Sequence, residues 1–203
     1  MDPPREAPDM KTALQLGDIA THEGRVWVSA SVLSGSVEDG DRLDAVGLAT
    51  VSCVVDEVRV AGMHRKAVAG EECQIFLRDP DPALQREGTQ AFLALVESGS
   101  ITHGTALRVS LTWASLRDEL PGSRPGSAPA LQQPITQDIR VEVRFVDLKV
   151  AATLKAPAVP VPVGGTNEWD LILDRPLPVI PRFGFSMDIQ GDFAATGKVL
   201  GPG

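Results

Sequence analysis

The run IRVEVRFVDL, residues 139–148, restricts the possible folds of this chain more than any other stretch. Ile139, Val141, Val143 and Phe145 alternate with Arg140, Glu142 and Arg144, a period of two that suits a strand with one buried and one wet face. Runs of the same kind recur along the chain: GRVWVSASVLSG (24–35), DRLDAVG (41–47), TVSCVVDEVRVAG (50–62) and EECQIFLRD (71–79), then LRVSLTWASL (107–116), EWDLIL (168–173), RFGFSMDIQ (182–190) and AATGKVL (194–200). Turn signals such as EDGD (38–41) and AG (69–70) separate the earlier ones. No stretch of the first half keeps a helical apolar period for three turns. DPDPALQREG (79–88) has two prolines in its first four residues and room for a single turn of helix. The expectation is an all-β chain, barrel or sandwich.

A length of 203 residues is one large domain or two small ones, and 43% hydrophobic residues supply core enough for two compact units. Nothing approaches the ~18 consecutive apolar residues of a membrane span. The start, MDPPREAPDM, lacks the basic and apolar regions of a signal peptide, so a cytoplasmic protein is expected. Cys53 and Cys73 lie in alternating apolar runs without a second Cys or a His at ligand spacing, and read as buried thiols. The net charge of −8 is unevenly placed: residues 1–100 hold 9 Lys and Arg against 17 Asp and Glu, whereas residues 101–203 hold 10 against 10. That balance argues against broad phosphate contact, while leaving room for a local basic patch. Trp27, Trp113 and Trp169 are all expected in the core.

Several chemistries lack their residues. GDFAATGKV (191–199) has the wrong glycine spacing for a phosphate loop and ends on Val199 where a magnesium-binding Ser or Thr is needed. DAVG (44–47) falls in a predicted hairpin, and with Asn167 the only asparagine there is no guanine-reading Asn-Lys pair. GFSMD (184–188) lacks the second glycine and the helix of a nucleophile elbow. His22, His64 and His103 are too far apart to suggest a metal site. The chain is therefore read as not an enzyme, with no cofactor and no metal. DELPGSRPGSAPALQQP (118–134), rich in Pro, Gly and Ser, reads as a mobile surface loop.

GTQAFLALVESGSITHGTALRVSL (88–111) resembles the junction between the second and third domains of elongation factor Tu, where a strand is followed by a Gly-Ser-Ile turn and a histidine. SASVLSGSVEDGDRLDAVG (29–47) is similar to the domain II hairpin of that family, through Val32, Gly35, Gly40, Asp41, Leu43, Val46 and Gly47. MHRK (63–66) with the following Ala69-Gly70 resembles a segment of the same domain, and residues 171–200 resemble the closing strands of domain III. The resemblance runs from about Lys11 onwards. It implies two consecutive small β-barrels: a flexible tail at 1–10, a domain II-like barrel at 11–97, a connector at 98–104, and a domain III-like barrel at 105–203. The family's GTP-binding domain would precede these barrels. Hydrolysis is then not expected of this chain by itself.

In the family a domain II pocket receives the aminoacyl end of tRNA. The resemblance assigns that role here to His64, Ser29 and Asp18, with Arg65 beside His64. Two positions depart: Gly62 stands where the family has a glutamate that accepts from the terminal ribose, and Glu72 where it has an asparagine. A carboxylate in place of an amide loses two donors and repels phosphate. The third-domain loop that carries an arginine to the tRNA has Asp192 and Phe193 at its tip. The expected function is a non-catalytic elongation factor Tu-like binding module linked to translation, with a protein partner favoured over RNA and no membrane. The alternative keeps the aminoacyl end of tRNA, or the ribosome, as ligand, with a GTPase domain supplied in trans. A basic groove at His64, Arg65 and Lys66 would favour that alternative, and an acidic one would oppose it.

Overall fold

The computed structural model describes residues 11–22, 25–113, 135–158 and 166–203; the tail expected at 1–10 and the loop expected at 118–134 lie outside them. Contacts divide the chain into two compact units. The first runs to His103 and includes Val146–Leu148 and Leu177–Phe183; the second begins at Gly104 and holds the rest. No helix among the described residues is long and apolar enough to cross a membrane.

The first unit contains β1 (Ala13–His22), β2 (Arg25–Ser34), β3 (Ser36–Val37), β4 (Arg42–Gly47), β5 (Thr50–Val60), β6 (Met63–His64), β7 (Ala67–Val68), β8 (Glu72–Arg78), helix α1 (Pro82–Glu87), a 3-10 turn (Gly88–Gln90) and β9 (Phe92–Glu97). Its main sheet has the order β4-β9-β1-β2-β8-β5-β6, and β4 also pairs with β5. That extra pairing closes six strands into an antiparallel barrel, so those six have no free edge. The core is the inward row of each strand: Leu14 and Leu16 from β1, Val26 and Val28 from β2, Ile75 from β8, with Phe92 from β9. α1 is the single turn expected near residue 82. Pro82 opens it and Asp81 accepts from the Ala83 N–H at 2.8 Å, while Leu84 plugs into the core.

Two features of this barrel differ from the sequence reading. β1 was not anticipated, because a bulge between Leu16 and Ile19 breaks its alternation. Trp27 is not core: it lies half-buried on the outward face of β2, where it pairs with Phe76 of β8.

The second unit is a closed barrel of β10 (His103–Trp113), β13 (Thr166–Pro178), β12 (Leu148–Leu154), β11 (Ile139–Phe145), β14 (Gly184–Ile189) and β15 (Asp192–Pro202), in that order. The chain is therefore all-β with two six-stranded antiparallel barrels in succession. Val141, Val143 and Phe145 are buried as their alternation requires. Trp113 and Trp169 pack edge to face with ring centroids 5.7 Å apart, and both are buried. On β15, Gly197 faces its register partner Phe185, whose ring lies where a Cβ would fall, 2.2 Å away. The aromatic ring covers the backbone that a missing side chain exposes.

The segment expected as a connector at 98–104 lies between β9 and β10, whose first residues are His103 and Gly104. Its start is held by Asp44 of β4, the one buried charged side chain among the described residues. Oδ1 of Asp44 accepts from Ser52 Oγ at 2.8 Å and from Ser98 Oγ at 3.0 Å, and Oδ2 accepts from the Gly99 N–H at 3.0 Å. Removing that acceptor strands three donors. Asp44→Ala is expected to destabilise the first barrel by about 3 kcal/mol in urea unfolding, and Asp44→Asn, which keeps one oxygen, by less. An unchanged midpoint for the alanine variant would mean that water replaces the carboxylate without loss.

Candidate functional site

A cleft of about 680 Å³ opens on the outward face of the first barrel. Its floor is a grid of polar side chains set by strand register. In one cross-strand row Glu72 of β8 stands opposite Ser31 of β2, which stands opposite Gln15 of β1. In the next row Arg59 of β5 faces Gln74 of β8, which faces Ser29 of β2. All six line the cleft. Neighbours within a row are about 5 Å apart at Cβ, and the rows are separated by two residues, about 7 Å.

The bulge in β1 shapes one wall. Ser29 Oγ accepts the Asp18 N–H at 2.6 Å, and a Cβ on Gly17 would come within 2.7 Å of that same oxygen. Gly17 is thus a close-approach glycine whose missing side chain lets the bulge sit on Ser29. Ala61 and Gly62 form the opposite rim, in the turn from β5 to β6, with φ of 50° and 81°. The left-handed backbone at position 62 suits glycine and strains any larger residue, which gives a physical reason for glycine at this departure.

Of the four expected site residues, the structure brings Ser29 and Asp18 together. Ser29 lines the cleft; Asp18 meets it through its backbone, with an exposed side chain. His64 and Arg65 are engaged elsewhere. His64 Nε2 lies 2.6 Å from Asp39 Oδ2, and Arg65 makes a two-pronged pair with Glu71 at 2.6 and 3.0 Å. Lys66 Nζ is 3.7 Å from Glu38 Oε2. Each basic residue of the MHRK segment therefore faces a carboxylate. The site residues that sequence reading did not select are Gln15, Ser31, Arg59 and Gln74. Their signal was the outward, polar half of each strand's alternation, which says nothing about which strands are neighbours.

Arg59 is also committed. Its Nε donates to Glu57 Oε1 at 2.5 Å and its guanidinium lies 5.0 Å from the Phe76 ring centroid; Arg25 covers the same ring at 4.5 Å. Arg25 and Arg78 share Asp56, with Arg25 Nη2 at 2.7 Å and Arg78 Nη2 at 3.0 Å. The Arg78 hydrogen bond first, and Arg25 after it, hold Asp56 below the usual carboxylate range; Arg59 does the same for Glu57. Glu72 is different. Among the described residues no hydrogen bond or ion pair neutralises its carboxylate. No three His, Cys, Asp or Glu side chains gather into a metal-holding group among the described residues. Cys73, at the cleft floor, and Cys53 are both buried free thiols. Burial, with Glu71 nearby, pushes Cys73 up to about 11; burial, with Asp44 nearby, pushes Cys53 up to about 12.

The chain matches no protein-family model and no curated protein.

Two outcomes follow from these ionisations. The Arg65 hydrogen bonds first, then the Val68 N–H, pull Glu71 from an ordinary 4.5 down to about 2. A depressed carboxylate stabilises the fold fully above its ordinary value, and that contribution fades as pH falls through about 2. A carboxyl-carbon NMR titration is expected to place the Glu71 midpoint near 2, returning toward 4.5 in Arg65→Gln; equal midpoints in both proteins would discard the pairing. Both thiols are expected to resist a thiol-reactive dye at pH 8 in the native protein and to react fully in urea. Rapid native labelling of either would contradict its burial.

Proposed function

We propose that this chain is a non-catalytic binding module of the elongation factor Tu-like double-barrel type, linked to translation, whose partner is a protein held at the outward cleft of the first barrel. The observation that carries this reading is the pairing of His64, Arg65 and Lys66 with Asp39, Glu71 and Glu38, beside a cleft in which Glu72 has no counter-ion among the described residues. RNA binding draws its affinity from free Lys and Arg that neutralise phosphates. A face whose cations are already matched supplies little of that, yet it offers a recess of amide and hydroxyl groups suited to specific polar contact with a protein surface. Phe193, exposed beside Asp192 at the β14–β15 turn, gives the second barrel an apolar tip in place of a phosphate contact.

The second reading, the aminoacyl end of tRNA, draws on the closeness of Ser29 and Asp18 in the cleft wall. The two readings separate on salt dependence. Binding of charged and uncharged tRNA to the full chain is expected to be undetectable at physiological salt and without preference for the charged form at low salt. A photo-crosslinker placed at Gln74 is expected to give a discrete protein adduct in cells, and one placed at Asp170 of the second barrel none. Tight, salt-sensitive preference for charged tRNA that drops at least tenfold in Ser29→Ala would replace the protein-partner reading with the tRNA one.

A further inference from the structure

We infer that the cleft of the first barrel is a receptor for a primary ammonium group, and that the group it takes is a lysine side chain of the bound protein; this rests on the protein-partner reading of the same site. The inference begins from charge. Two ionised side chains line the cleft, Arg59 and Glu72. Arg59 is held by Glu57, which it shares with Arg25, and is laid on Phe76, whereas Glu72 is exposed. Glu72 is therefore the one charge lining the cleft without a counter-ion among the described residues, and a cation is its complementary ligand.

The surrounding acceptors define which cation. Ser31 stands opposite Glu72 in register, and Gln74 follows Glu72 on the same face of β8. Together they offer a carboxylate, a hydroxyl oxygen and an amide oxygen on neighbouring positions of two paired strands. An ammonium on a flexible stem has three divergent donors and no acceptor, which matches such a set; a flat guanidinium prefers one planar fork and a stacking surface. The nearest stacking surface, Phe76, already carries Arg25 and Arg59. A cleft of about 680 Å³ also exceeds what a lone ammonium fills, and leaves room for the four-carbon stem and the backbone that bears it. The Ser29 oxygen accepts the Asp18 N–H, which leaves its own O–H available to donate to the peptide carbonyl of the incoming segment.

One exposed ion pair is weak, so the readout must resolve millimolar binding. The full chain is titrated by backbone-amide NMR with acetyl-Ser-Lys-Ser-amide, its Nε-acetyl-lysine form, its arginine form, and 1,5-diaminopentane. The lysine peptide is expected to shift residues 15–17, 29–31 and 72–74 saturably. Glu72→Gln, whose spectrum first establishes that it is folded, is expected to bind about five- to tenfold more weakly. Glu87→Gln, which removes the same charge from α1, is expected to bind as the parent does. Equal binding of the acetylated peptide, equal loss in the two glutamine variants, or tighter binding of the arginine peptide would overturn the ammonium site. Tighter binding of the diamine would overturn the lysine source in favour of a free amine. The Gln74 crosslink reads whether any protein touches this face, so an amine failure with a retained adduct removes this inference and leaves the partner reading standing.

Discussion

The pairing of β4 with both β9 and β5 governs the first barrel. Without it the sheet would end in two long open strands, each with a row of unpaired N–H and C=O groups. With it, the backbone hydrogen-bonding capacity of six strands is consumed internally, and inward residues become a packed core. Any partner must then be recognised by side chains, or by the few backbone groups left at turns. The six cleft residues are side chains of this outward set, and their spacing is inherited from the ladder beneath them.

The same closure concentrates strain and charge at a few places. Asp44 is tolerated in a nearly dry position because three donors converge on it, and in return it fixes where the chain leaves β9. On the outside, carboxylates outnumber cations over the chain, yet Arg25, Arg59, Arg65, Lys66 and Arg78 are each held against one or more of them. Exposed pairs of this kind contribute little to stability. Their consequence is electrostatic: around MHRK each basic residue has a carboxylate beside it, which offsets the positive field that the sequence alone suggested there, and Glu72 lines the cleft without such a partner among the described residues.

The all-β class was legible because alternation is local. β11 shows this most clearly, since Val141, Val143 and Phe145 are buried where the pattern put them. Its end was not legible. The run IRVEVRFVDL reaches Leu148 with only Asp147 as a turn-favouring residue, yet the chain turns at Val146, a β-branched residue at φ 53°. β1 was hidden for the converse reason, since Gly17 and Asp18 look like a break but form a bulge inside a continuous strand. The cleft was legible in part. Ser29 and Asp18 were selected by resemblance, while Gln15, Ser31, Arg59 and Gln74 sit on four strands whose adjacency is decided by long-range pairing. Periodicity tells which face a residue takes, and register alone tells which residues share it.

The placement of tryptophan has a practical side. With no tyrosine in the chain, ultraviolet emission comes from three indoles. One, Trp27, lies half in water on the outer wall of the first barrel, beside Phe76. The other two, Trp113 and Trp169, are shut inside the second barrel against one another, with neither Nε1 hydrogen finding an acceptor among the described residues. An indole relaxed by solvent emits to the red of one held in a dry, acceptor-poor pocket. Each barrel therefore carries its own colour, and melting of one can be followed separately from melting of the other without attaching any label.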